Sequence, residues 1–127
     1  MTGRHHRTAR GQASYARGTA AEAHCEALLA AQGFTVLGRR IRTGAGEIDL
    51  VARRGGLTVI VEVKARPSTA DAAFAITPRQ RARLAAAAEA LMAAEPGWFG
   101  DALRFDAMLV AADGELHWLE DAFRPGD

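Results

Sequence analysis

The chain has 127 residues, carries 16 Lys and Arg against 15 Asp and Glu, and is 49% hydrophobic with a single cysteine. That length holds one domain with a modest core, and the near-zero net charge excludes a strongly basic nucleic-acid-coating protein. One cysteine excludes an internal disulfide and fits a reducing, cytoplasmic setting.

Residues 1–17 contain Arg4, Arg7, Arg10, Arg17, His5 and His6, no acidic residue, and no apolar stretch of the kind a secretory signal needs. The reading is a flexible basic arm ahead of one domain over residues 18–127, either lying along phosphates or simply solvated. No membrane association is expected. Gly18 to Gly33 has the pattern of a first helix, with Thr19 as N-cap and Gly33 as stop. Ala21, Cys25, Leu28 and Leu29 form its apolar stripe, with Glu22 at the rim and Glu26 turned further toward water. A rim carboxylate can reach a site on the sheet below, or remain solvated. Phe34 to Arg42 reads as a first strand that supplies Arg39, Arg40 and Arg42, and residues 43–46 read as a flexible loop.

Gly46 to Arg66, GEIDLVARRGGLTVIVEVKAR, has the composition of a β-hairpin turning at Gly55-Gly56. Counting outward from that turn sets Asp49 opposite Glu62 and Glu47 opposite Lys64, on the same side of the sheet. Strict alternation puts Glu47, Asp49, Ile60, Glu62 and Lys64 on a charged face and Ile48, Leu50, Val59, Val61 and Val63 on an apolar one. Opposed carboxylates repel, so a buried pair must hold a proton or take a counter-charge. A hard divalent cation such as Mg²⁺ meets that need. The other reading is a surface hairpin with Lys64 bridging Glu47 and Glu62. Lys64 is the only lysine in the chain. Its compact ammonium can hold a water and a phosphate oxygen and can lose a proton when buried, which a guanidinium does not do.

Residues 67–75 read as a loop. Thr77-Pro78 opens a second helix, Gln80 completes a capping box, and Pro96-Gly97 ends the helix. Arg79, Arg81 and Arg83 crowd its first turns against the macrodipole; a phosphate contact and a solvated arginine-rich face both account for them. Leu103 to Val110 reads as a strand with Arg104 and Asp106 as a same-face structural pair, and Glu115 to Leu119 as a last strand with Trp118 packed. Trp98 and Phe99 either stabilise their loop or stack on a base.

GEIDLVA followed by VIVEVKAR is a D-x12-E-x-K arrangement on adjacent strands, and it resembles the active-site signature of the PD-(D/E)XK nucleases, the restriction-endonuclease-like superfamily. The longer motif pair is similar to that of the YraN family of small bacterial proteins, predicted endonucleases, and RFD at 104–106 resembles a further signature of that family. The resemblance spans about residues 17–123. It implies an α/β restriction-endonuclease-like core, a central mixed β-sheet flanked by helices in the order αβββαββ. It further implies a DNA endonuclease dependent on Mg²⁺ or Mn²⁺, acting on branched or damaged DNA in repair or recombination. In that reading Asp49, Glu62 and the main-chain carbonyl of Val63 hold the metal, and Lys64 orients and helps deprotonate the attacking water. Glu22 adds a third acidic group, Glu47 fixes Lys64, and Arg39, Arg40, Arg79 and Arg83 contact phosphates. The family's GxxGE becomes Gly18, Ala21 and Glu22, its RN becomes Arg39-Arg40, and its second-helix lysine becomes Gln80. Cutting both strands together would call for a homodimer. A catalytically silent module of the same fold, binding nucleic acid or protein, is the alternative.

Overall fold

A computed structural model of the chain describes residues 9–67 and 76–126, with the side chains of the first helix described from Ala20 onward. Its elements are α1 (Ala9–Ala31), β1 (Thr35–Thr43), β2 (Gly46–Arg54), β3 (Leu57–Arg66), α2 (Pro78–Ala94), a 3-10 turn at Pro96–Trp98, β4 (Ala102–Ala111) and β5 (Leu116–Phe123). They form one five-stranded sheet in the order β1-β2-β3-β4-β5. All neighbours are antiparallel except β3 and β4, which are parallel because the chain crosses between them through α2. This is the expected α/β arrangement αβββαββ, consistent with a restriction-endonuclease-like core.

Both faces of the sheet are covered. Ala21, Cys25 and Leu29 of α1 pack on Leu50, Ala52, Val59, Val61 and Met108. On the other side Leu84, Ala88 and Leu91 of α2 pack on Ile48, Val51, Ile60 and Phe105. The division of the hairpin into one apolar and one charged face is therefore corrected: a sheet clad by helices on both sides needs apolar residues on both.

The first helix also starts earlier than Gly18, at Ala9, so that Thr19 lies inside it and is not its N-cap. Alanine, arginine and glutamine favour helix through residues 9–17, and a glycine costs roughly 1 kcal/mol against alanine without ending a helix. Residues 1–8 of the expected arm, and 68–75 of the expected loop, lie outside the described residues.

The start of α2 is as read: the Thr77 hydroxyl accepts from the Gln80 N–H at 3.2 Å, and the Gln80 side chain accepts from the Thr77 N–H at 2.9 Å. Trp98 and Phe99 pack against the α2-side core. The Trp98 ring covers Gly38, where a Cβ would stand 2.9 Å from a ring carbon, and the Trp98 carbonyl accepts from the Thr58 hydroxyl at 2.7 Å. These contacts give the pair a packing role.

Candidate active site

The two-residue turn fixes the hairpin register that was counted from the sequence, Arg54↔Leu57 through Leu50↔Val61, and there the ladder stops. Beyond that point β2 stays with β1 as far as Thr43↔Gly46, while β3 stays with β4 as far as Arg66↔Ala111. The sheet forks. Continuing the register by one step places Asp49 against Glu62 at the base of the fork.

Asp49 spans the opening: its Oδ2 accepts from the Val63 N–H at 2.8 Å, where the next ladder bond would have run. The N–H and C=O of a strand residue point to the same side. The Val63 carbonyl therefore also looks into the fork.

A second irregularity lies across from Asp49. Arg39↔Leu50 and Ile41↔Ile48 are paired, and Arg40, opposite Asp49, is skipped and adopts a left-handed φ of +49°. Both strands change face at this level. Leu50 belongs to the α1-side core, whereas Ile48 and Ile41 pack on the α2 side. Ile48 thus does not share a face with Leu50, as strict alternation had it; the change falls at Asp49, the residue facing the left-handed Arg40 of β1.

One consequence is that Arg39 and Arg40, neighbours in a strand, both reach α1. Arg39 donates through Nε and Nη2 to the two carboxylate oxygens of Glu26, at 2.7 and 2.9 Å. Arg40 donates through Nε to Glu22 at 2.8 Å, with the two side chains 25% and 15% exposed. Glu22 and Glu26 stand one helical turn apart, which matches the spacing of the two guanidiniums. Sequence reading missed this double clasp. No local pattern signals it, because each pair joins residues 13 or 18 apart in sequence.

Burial and the charge of Glu62 push the Asp49 carboxyl up to about 7, against the lowering effect of the Val63 N–H; Glu22 adds to the rise, as does a side-chain hydrogen bond with Glu62. Two carboxyl groups bond to each other only through a proton, and the rise at Asp49 keeps that shared proton on the pair toward neutral pH. Lys64 Nζ lies 3.0 Å from Glu62 Oε2, both side chains nearly buried. Glu47 is exposed, and Lys64 pairs with Glu62. The buried Cys25 thiol is pushed up to about 12, first by desolvation and then by Glu22, Asp49 and Glu26. It is an inert core group at neutral pH.

Among the described residues the arginines of α2 form no ion pair with this cluster. Arg79 is exposed in the first turn, and Arg83 lays its stem over Gly46 at the start of β2. Gly46 has a φ of +150°, and a Cβ there would come within 2.9 Å of Arg83 Cγ and Cδ. Gly46→Ala is expected to lower unfolding free energy by about 1–3 kcal/mol in urea titration, chiefly from backbone strain.

Among the described residues there is no group of three or more His, Cys, Asp or Glu set to hold a metal ion. The fork instead offers two carboxylates and a carbonyl, and Glu22 is turned to Arg40. That donor set fits Mg²⁺, which commonly takes one or two carboxylates and completes its shell with water and phosphate. No described helix is long and apolar enough to cross a membrane.

The sequence profile described as "Uncharacterised protein family UPF0102" matches residues 21–110, the span that holds the fork and α2. A UPF0102 protein of Azorhizobium caulinodans is 53% identical over 114 residues, covering 90% of this chain and 87% of that protein. Another from Rhodopseudomonas palustris strain CGA009 is 47% identical over 111 residues, covering 87% of this chain and 85% of its own length. With a profile match across most of the chain and relatives at about half identity, the chain belongs to the UPF0102 family.

Proposed function

We propose that the fork is the active site of a metal-dependent DNA endonuclease of the PD-(D/E)XK superfamily, working in the cytoplasm with Mg²⁺ or Mn²⁺. The observation that carries this reading is the convergence of Asp49, Glu62 and the chain's only lysine where β2 and β3 part. A purely structural salt bridge would not need a second carboxylate held against its own repulsion.

Asp49, Glu62 and the Val63 carbonyl are the groups that would hold the cation. When bound, a divalent cation supplies Lewis acidity at the phosphoryl oxygen and lowers the pKa of a water. Lys64, steadied by Glu62, aims the attacking water and stabilises the charge that grows on the phosphoryl oxygens. The water gives up one proton to solvent as its oxygen bonds to phosphorus, the bond from phosphorus to one sugar oxygen breaks, and that oxygen takes up a proton, so protons balance. Opening of the ladder gives the phosphate backbone access to these groups. One fork cuts one strand, so paired cuts require two copies of the chain.

Labelled single-stranded, duplex, flap and four-way-junction DNA would be incubated with the protein and Mg²⁺ or Mn²⁺. Lys64→Met is expected to reduce cleavage by roughly 10²–10³-fold while retaining Mn²⁺ binding in calorimetry. If wild type cuts none of these substrates and binds no Mn²⁺ through Asp49, the fork charges are structural and the nuclease reading is lost.

A further inference from the structure

The geometry points to Arg40 as a built-in counter-cation of this site, one that occupies Glu22 and competes with the divalent cation for it. The inference rests on the metal-binding reading of the fork.

Three observations carry it. Arg40 stands directly across β1 and β2 from Asp49, at the level where both strands change face. It keeps a φ of +49° there, a conformation a non-glycine residue holds only when its surroundings require it. Its guanidinium is bonded to Glu22 at 2.8 Å in a half-buried pair.

Because Arg40 faces Asp49 across the β1–β2 ladder and grips Glu22 at 2.8 Å, the Arg40–Glu22 pair lies beside the Asp49 end of the fork. Two cations thus border these carboxyl groups, Lys64 on Glu62 and Arg40 on Glu22. Lys64 belongs to the proposed chemistry. Arg40 does not, and its charge sets how strongly the carboxyl groups attract a third cation. Arg39 cannot substitute, because Glu26 holds it through both oxygens. Removing Arg40 would release Glu22 as a third acidic group, directly or through a water. Arg40 is in these terms a positioning residue, which trades metal affinity for a Glu22 held away from the fork.

The test is calorimetric titration of the full chain with Mn²⁺ alone, for wild type, Arg40→Asn, Glu22→Gln and the double variant. Asparagine is at ease in left-handed backbone, and Arg40→Gly, which tolerates it equally, serves as a second variant should Arg40→Asn fail to fold. Arg40→Asn is expected to bind Mn²⁺ at least about tenfold more tightly, because one nearby unit charge is removed. In the Glu22→Gln background the same change is expected to move affinity less than about threefold, since the effect runs through Glu22. A loss of packing alone would not show that dependence on Glu22. Unchanged or weaker binding in both Arg40 variants overturns the inference and leaves the metal site standing, as does a gain that persists without Glu22. A wild type that binds no Mn²⁺ overturns the inference together with the metal reading.

Discussion

Asp49→Asn is expected to make the metal-free protein more stable at pH 8 while abolishing cleavage. In the folded chain the carboxyl is pushed up to about 7, from an ordinary value of 3.8. Between those values the unfolded chain has released its proton and the folded chain still holds it. Folding then binds more protons than unfolding does, so this group's contribution falls as pH rises from about 4 to about 7. The loss is of order 2–4 kcal/mol at pH 8. Asparagine keeps an oxygen to accept from the Val63 N–H and carries no charge to repel Glu62. Urea unfolding at pH 5 and pH 8 should show wild type weakening across that interval relative to the variant. Adding Mn²⁺ at pH 8 should restore the wild type and leave the variant unmoved, because a ligand bound only by the folded state stabilises it. A variant that is less stable than wild type at pH 8 would mean that the fork carboxylates are held by attraction. The metal reading would then lose its physical basis.

Local chemistry made the fork legible in the sequence, and long-range shape hid part of it. Gly55-Gly56 allows a tight turn, so counting outward from it set Asp49 against Glu62 with no other knowledge, and the ladder obeys that register up to Leu50↔Val61. The Thr77 and Gln80 capping box was equally local. Alternation fails at Ile48, because both strands change face at the level of the left-handed Arg40 and Asp49, and a period-two pattern carries no trace of that. The pairing of Arg39 and Arg40 with Glu26 and Glu22 depends on how α1 crosses β1, contacts 13 and 18 residues apart in sequence. The sequence offers these guanidiniums as candidate phosphate contacts or as solvated groups at a sheet edge, and in the folded chain each also holds a carboxylate. Glu47 was assigned to Lys64 because register alone cannot tell a cross-strand partner from the i+2 neighbour Glu62 once the strands part.

Asp106→Ala is expected to cost more stability than any change in the fork, about 3–5 kcal/mol. The Asp106 carboxylate is 1% exposed. It accepts from Arg104 Nε and Nη2, both at 2.8 Å, from Trp118 Nε1 at 2.9 Å and from the Asp121 N–H at 3.0 Å. These donors come from both β4 and β5, at the level where their ladder shifts between Phe105↔Phe123 and Ala107↔Leu119. Asp121 there has a left-handed φ of +54°, so the carboxylate holds a bulge that the backbone ladder does not. Removing it leaves a guanidinium that is only 19% exposed with the exposed Glu120, at 3.4 Å, as its remaining ion pair, and strands two N–H groups. Asp106→Asn keeps the volume and one accepting oxygen but turns an amide N–H₂ toward Arg104, and should lose a smaller amount. Urea unfolding ranks the three proteins. Cleavage measured well below each unfolding midpoint should be near wild type in both variants: Asp106 lies beside Val61, one residue before Glu62, but its carboxylate bonds to Arg104, Trp118 and Asp121 of β4 and β5 and to no group of the fork. A folded, stable Asp106→Asn that no longer cuts DNA would instead make the RFD segment part of the catalytic machinery, and the fork would be only half of the site.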